Sequence, residues 1–364
     1  MRVALVAPLV APIREPQRGG SQAFVSDLAR GLIQRGHDVH LYAASGSDVP
    51  GVPVIDAGVD SQALRATLHR ASGGPPPKPD AAAGAFARVY SAVREDRYDV
   101  IHNHAFDAPA ISLAGSLDAP VVHTLHLPPD EAVAGALAEA VRSEAPPAVA
   151  GVSDFQASDW RRVVPVDAIL SPLVPTALVG WSPAPAGGAV FAGRLSPEKG
   201  AAEAIDIART AGVAIDVYGD PYEAEYARER IEPRRSEPGV SVHAAVPRPS
   251  LWEAMARTAV VLCPARWDEP FGMVAAEAQA CGTPVIAFDR GALGEVIVDE
   301  VTGFLVAPDD VRSAADAVGK ASGLSRAECR AHAETRLDLE RSLDAHERLY
   351  RRVVGAGTEA AAHG

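Results

Sequence analysis

With 364 residues and about 150 residues per domain as a prior, the chain has material for two domains and a remainder. At 48% hydrophobic and 22% charged it can bury large cores, which excludes intrinsic disorder as its main state. A formal charge of −13 argues against nucleic acid and anionic membranes as partners. Cys263, Cys281 and Cys329 are widely spaced, so they form no disulfide framework or zinc motif and suit a reducing cytoplasm.

The opening MRVALVAPLVAP imitates a signal peptide, but two prolines interrupt it and Arg14 and Glu15 follow; a first buried strand over 2–7 is the better reading. No run approaches the eighteen or so apolar residues of a membrane span. Further along, apolar runs at 38–43, 99–103, 120–124 and 148–153 read as strands, with helices near 20–35, 82–97, 108–116, 131–144 and 154–162. The prolines and glycines of 71–80 read as a loop, and the proline-rich 164–186 as an inter-domain hinge. Alternation resumes with strands at 189–193, 213–219, 240–244, 259–265, 284–288 and 303–307. Helices follow near 198–210, 222–235, 249–257, 271–280 and 310–321, and a last one spans about 325–353. Strands alternating with helices predict parallel sheets with helical crossovers, hence two Rossmann-like, doubly wound α/β domains facing across a cleft. Ligands of such sheets bind beyond the carboxyl ends of the strands.

Three stretches carry chemistry. In WDEPFGMVAAEAQACGTPVIA, 267–287, Pro270 reads as the start of a helix whose free amides, at Phe271, Gly272, Met273 and Val274, face phosphate or sugar hydroxyls. Glu269 and Glu277 are carboxylates able to grip hydroxyl pairs, one a ribose diol and the other a sugar ring. In FAGRLSPEKG, 191–200, Arg194 supplies a planar fork and Lys199 falls in a first helical turn, where a cation costs stability unless an anion sits there. In QRGGSQAFVSDLARGL, 17–32, Gly19 and Gly20 allow close approach of backbone to a ligand. The spacing is not GxGxxG and no acidic residue closes the second strand, which argues against a nicotinamide enzyme. His102, His104, His123 and His126 have spacings open to zinc, yet no cysteine or histidine–glutamate motif accompanies them, and they read as a polar, substrate-facing rim. No Asp-x-Asp occurs in the chain, so the carboxylate clamp for a metal-bound nucleotide diphosphate is missing.

At these motifs, and at 280–308 (ACGTPVIAFDRGALGEVI…TGFLVAP), the chain resembles the retaining glycosyltransferases of family 4, which have the GT-B fold. The resemblance implies an acceptor domain over 1–175, a nucleotide-sugar donor domain over 176–335, and a helix and tail over 336–364 crossing back to the first domain. It implies no cofactor and no required metal. Arg194 and Lys199 would hold the donor diphosphate. The backbone of Phe271, Gly272 and Met273 would meet phosphate and sugar hydroxyls, with Val274 in the same turn. Glu269 would contact the transferred sugar, Glu277 the ribose, and Val246 the base through its backbone. Gly19 and Gly20 would close over the diphosphate from the opposite domain. His126, in the family's apolar-x-x-His position, would lie under the sugar near the anomeric carbon. Relatives usually carry Asn-Gly at the hinge, where this chain has LSPLVPT (170–176).

The expected partners are therefore a nucleotide-sugar, with UDP slightly preferred as carrier, and the hydroxyl of a small soluble acceptor such as a secondary metabolite. The first domain has no hydrophobic-basic helix to dock on lipid. A monomer or homodimer without strong membrane association is expected. Alternatives are a GT-B nucleotide-sugar epimerase, a phosphorylase, and a non-catalytic two-domain sugar-binding protein.

Overall fold

The computed structural model describes residues 1–56, 58–61, 64 and 79–362. They divide into two compact units: Met1–Arg14 with Gly20–Pro172 and Leu339–Gly364, and Glu15–Gly19 with Leu173–Asp338. The chain thus changes unit at 172/173 and 338/339, where the sequence analysis draws its limits at 175/176 and 335/336.

The strands of the first unit are β1 (Arg2–Val6), β2 (Asp38–Ala43), β3 (Val54–Asp56), β4 (Val100–Asn103), β5 (Val121–Thr124), β6 (Ala148–Gly151) and β7 (Ala168–Ile169). Among the described residues they form one parallel sheet in the order β3-β2-β1-β4-β5-β6-β7. The central strands β1 and β4 are buried along nearly their whole length, as expected for a parallel sheet covered on both faces, although β4 ends in His102 and Asn103. Helices α1 (Gly20–Gln34), α2 (Pro79–Arg94), α3 (Ala108–Ser112), α4 (Glu131–Ala140) and α5 (Asp154–Trp160) make the crossovers. Asp130 caps α4 by accepting from the amides of Ala132 and Val133, and Ser153 caps α5 by accepting from Gln156 N–H.

The second unit repeats the plan with β8 (Ala189–Ala192), β9 (Ile215–Tyr218), β10 (Val240–His243), β11 (Val260–Cys263), β12 (Val285–Phe288) and β13 (Gly303–Val306), in the order β10-β9-β8-β11-β12-β13. Its helices are α6 (Ala201–Ala211), α7 (Ala224–Tyr226), α8 (Arg248–Arg257), α9 (Met273–Ala280), α10 (Leu293–Val296), α11 (Val311–Ala321) and α12 (Arg326–Arg336). The final helix, α13 (Leu339–Ala362), belongs to the first unit. There it packs on α1, where Leu343 sits so close to Gly31 that a Cβ would meet its Cδ1 at 2.7 Å.

Three expectations need correction. The single helix over 325–353 is two, α12 and α13, broken at Leu337–Asp338, where Val174 N–H donates to Leu337 O and Thr176 Oγ1 to the Asp338 carboxylate. The helix over 222–235 is a short α7 followed by a wide turn over 227–231 and a 3-10 turn over 232–236, because Pro233 lacks the N–H that a continuing helix needs. The 164–186 stretch is not wholly a hinge, since β7 lies in it. Three short elements, β3, β7 and α10, give too few residues for a periodic signal. The loop expected over 71–80 lies outside the described residues up to 78, and α2 already begins at Pro79.

Candidate functional site

In the second sheet the strand order reverses between β8 and β11, and it is beyond the carboxyl ends of the strands at such a reversal that open α/β sheets bind ligands. After β8 the chain passes Arg194 and makes a single 3-10 turn, Pro197–Lys199, before α6. Lys199 is thus not in the first turn of α6, as the spacing suggested. Gly200 stands between them in the left-handed region at φ 75°, and a Cβ there would overlap the carbonyl oxygen of Pro264. Glycine lets this turn press against the segment after β11.

The contact brings Lys199 to Glu269. Its Nζ lies 2.7 and 2.8 Å from the two carboxylate oxygens, and 5.0 Å from the centre of the Trp267 ring. Trp267 Nε1–H donates to Glu269 Oε2 at 2.6 Å. The loop is held by Ala292 N–H donating to Glu269 O at 2.8 Å. Gly291, at φ 62°, faces the Glu269 backbone so closely that a Cβ would overlap its N and O. An alanine at 291 costs at least about 1–2 kcal/mol for its left-handed backbone alone, and it must also displace Glu269. Gly291→Ala is expected to lower the melting temperature by a few degrees and to lower turnover by more than the lost folded fraction, as calorimetry beside steady-state rates will show.

Arg194 is fixed from two sides. Its Nη2 donates to Glu198 Oε1 at 3.2 Å, and its guanidinium lies 4.3 Å from the centre of the Tyr222 ring, a cation–π contact that holds the fork in place. Beyond β11 the helix starts later than expected. Gly272, left-handed at φ 99°, precedes α9, so Pro270 and Phe271 lie outside it. The amides of Met273 and Val274 are left without intrahelical acceptors. Arg194, Lys199, Glu269 and this helix start therefore all follow the ends of the same two neighbouring strands.

Glu277 is drawn into a different partnership. It lies in α9 and pairs with Arg248 at the start of α8, two residues after Val246. Arg248 Nε donates to Glu277 Oε1 at 2.8 Å, and Nη2 lies 2.7 Å from the same oxygen. The Arg248 backbone N–H donates to Glu15 Oε2 at 3.1 Å. Gly19 belongs to the same unit as this network and Gly20 to the other, so the pair expected from one domain is divided.

The first unit holds the histidines: three of them are buried rather than on a rim, and His126 lines a small pocket with Ala105, Phe106, Leu125 and Trp160. His102, His104 and His123 are buried, and His126 is 9% exposed. His102 hydrogen-bonds Tyr350 Oη at 2.6 Å and Thr124 Oγ1 at 2.7 Å. His104 Nδ1 meets His126 Nε2 at 3.1 Å, His123 Nδ1 meets Asn103 Nδ2 at 3.1 Å, and His346 of α13 packs beside His102. Burial, with the neighbouring imidazoles second where they contribute, pushes all five down. His123 and His346 fall to about 4, His126 to about 3, and His102 and His104 well below the usual range. They are neutral at physiological pH. Among the described residues no three His, Cys, Asp or Glu side chains converge as metal ligands would, and no helix is long and apolar enough to cross a membrane.

Residues 188–335 match the family described as glycosyl transferases group 1, and residues 18–176 the family described as glycosyltransferase family 4. Curated relatives include the D-inositol 3-phosphate glycosyltransferase of Xylanimonas cellulosilytica, 28% identical over 380 residues and covering 87% of each chain. That of Mycobacterium tuberculosis is 28% identical over 417 residues, covering 97% of this chain and 84% of its own. Among solved structures, sucrose-phosphate synthase from Thermosynechococcus elongatus superposes with a TM-score of 0.79 at 20% identity, covering 98% of this chain and 99% of the other. Anabaena HepE, in complex with UDP and glucose, gives 0.73 at 19% identity over 96% and 99%. The chain belongs to the glycosyltransferases of family 4 and has their GT-B fold. Sequence reasoning singled out Arg194, Lys199, Glu269 and Glu277; Trp267, two residues from Glu269, and Glu198, four from Arg194, lie inside the same motifs but received no role there, while Tyr222 and Arg248 make contacts over 28 and 29 positions that no motif signals.

Proposed function

We propose that the chain is a retaining, metal-independent glycosyltransferase. It moves a sugar from a nucleotide-sugar, a UDP-sugar first among the candidates, to a hydroxyl of a small acceptor such as a secondary metabolite. The observation that carries this reading is the meeting of Lys199, Glu269 and Trp267 beside Arg194 and the first turn of α9. As the glycosidic bond breaks, negative charge grows on the diphosphate. Arg194, held by Glu198 and Tyr222, and the amides of Met273 and Val274 are suited to receive it without reorganising. Donor binding would move Lys199 from Glu269 to the diphosphate, while Trp267 keeps Glu269 in place for a sugar hydroxyl.

Retention is taken from the resemblance to family 4; given retention, attack from the leaving group's own face is favoured over a covalent intermediate, since burial pushes the Cys263 thiol up to about 12 and Glu269 is engaged by Lys199 and Trp267. In the proposed step the bond from the anomeric carbon to the diphosphate breaks and the acceptor oxygen bonds to that carbon on the same face. The acceptor's proton passes to the departing phosphate oxygen.

The test is a thermal-shift panel of UDP-, GDP-, dTDP- and ADP-sugars, followed by turnover with the best donor in excess EDTA. A donor at a hundredfold excess over its Kd adds about 2.7 kcal/mol of stability. The expected result is one clear stabiliser, a rate unchanged by EDTA, and a product with the donor's anomeric configuration. Loss of activity in EDTA, or an inverted product, overturns the mechanism. An epimer formed from donor alone, or turnover that requires phosphate, overturns transfer itself.

A further inference from the structure

We infer that Arg248 is a positioning residue for nucleoside recognition: it grips Glu277 by one carboxylate oxygen and so leaves the other for the ribose diol. The inference rests on the reading of Glu277 as the ribose ligand. Arginine and a carboxylate usually pair fork to fork, with each oxygen taking one N–H. Here Arg248 Nε donates to Oε1 at 2.8 Å, and Nη2 lies 2.7 Å from that same oxygen without a hydrogen bond to it. Oε2 takes no hydrogen bond among the described residues, yet it is not one of the sealed polar atoms. It stays open to solvent on a residue that is otherwise 5% exposed.

Stability alone is a weak reason for such a pair. A buried ion pair often contributes no more than a well-packed apolar pair of the same volume, and an arginine in a first helical turn opposes the helix dipole. Arg248 is nevertheless 7% exposed and held on three sides. Glu277 takes its guanidinium, the Trp252 ring lies 4.9 Å from it, and Glu15 accepts its backbone N–H. A guanidinium immobilised in this way fixes both the position and the rotation of the Glu277 carboxylate. Fixed rotation is what a carboxylate needs if its remaining oxygen is to meet a diol. Arg248 opens α8 two residues after Val246, so the residue expected beside the base and the residue that aims the ribose carboxylate are held at one junction between loop and helix.

The experiment compares wild type, Arg248→Met, Arg248→Lys and Glu277→Gln by calorimetric binding of UDP, GDP and ADP, each against its 2′-deoxy counterpart and against inorganic pyrophosphate. Wild type is expected to prefer the ribonucleotide by about tenfold or more, the range of a hydrogen bond to a charged group. In Arg248→Met the ribo/deoxy ratio falls to within about threefold while pyrophosphate affinity is unchanged, and Glu277→Gln lowers the same ratio. Arg248→Lys keeps the buried positive charge and hence the fold. Its single ammonium cannot set the carboxylate's rotation, so its ratio falls as well, and it decides the matter if the methionine variant does not fold. A merely structural arginine would weaken ribonucleotide, deoxynucleotide and pyrophosphate alike and preserve the ratio. If wild type itself does not discriminate, the reading of Glu277 fails. If wild type and Glu277→Gln behave as expected but the Arg248 variants keep the wild-type ratio, the role of Arg248 alone is overturned.

Discussion

Replacing Lys199 and Arg194 together by alanine is expected to lower kcat/KM by about 10³-fold or more while the protein stays folded. Each side chain offers the leaving diphosphate one charge-assisted contact of about 1.5–3 kcal/mol, and loss of one preorganised donor at a developing charge costs about 10²–10³ in rate. The defect should fall mainly on kcat, because the charge these cations meet is larger in the transition state than in the bound donor. The two single variants should differ in stability. Without Lys199, Glu269 keeps the Trp267 N–H and lies in a partly open loop. Without Arg194, Glu198 is a carboxylate only 4% exposed that has lost its cation, and burying an unpaired charge is strongly destabilising. Arg194→Ala should therefore melt lower than Lys199→Ala. Steady-state kinetics beside thermal melts checks both statements, and a double variant with wild-type turnover refutes the assignment of these cations to the diphosphate.

The parallel architecture was legible because each central strand begins as a short aliphatic run bounded by turn residues, a local signal that survives in one sequence. The cationic turn and the two glutamates were legible for the same reason, as residue types in fixed order. Their partners were not. Lys199 reaches Glu269 across 70 positions because Gly200 lets its turn press on Pro264 and Gly291 lets its loop press on Glu269, and nothing in the periodicity of either stretch says so. The helix start was misjudged by three residues because Pro270-Phe271-Gly272 fits both a first helical turn and the loop before it. The histidines misled more deeply. Alternation along β4 correctly gives His102 and His104 one side of the strand, but whether that side is wet depends on α13, which supplies His346 and Tyr350 from almost 250 positions away.

That buried cluster makes acid the condition to which the first unit is most sensitive. Unfolded, a histidine titrates near 6.5. Folded, His123 and His346 are held to about 4 and His126 to about 3, with His102 and His104 also depressed, burial being the leading cause for all five. Between those values the unfolded chain binds more protons than the folded one, so stability rises with pH across the window and is lost as pH falls from about 6.5 towards 4. Each unit of depression corresponds to about 1.4 kcal/mol, and a fraction of the five contributions together rivals a typical total stability of about 5–15 kcal/mol. Paired carboxylates act in the same direction, but mostly below pH 5, which leaves 5 to 6.5 as the interval the histidines own. Urea unfolding at pH 7.5, 6.5, 5.5 and 4.5 is expected to show a nearly constant midpoint down to 6.5, then a steep fall. His346→Asn removes one of the five titrations, so the fall should become shallower by up to one bound proton. A flat midpoint from 7.5 to 5 would mean that the imidazoles charge inside the fold, and the neutral, hydrogen-bonded cluster of His102, His104 and His126 could not then be the resting state of this unit.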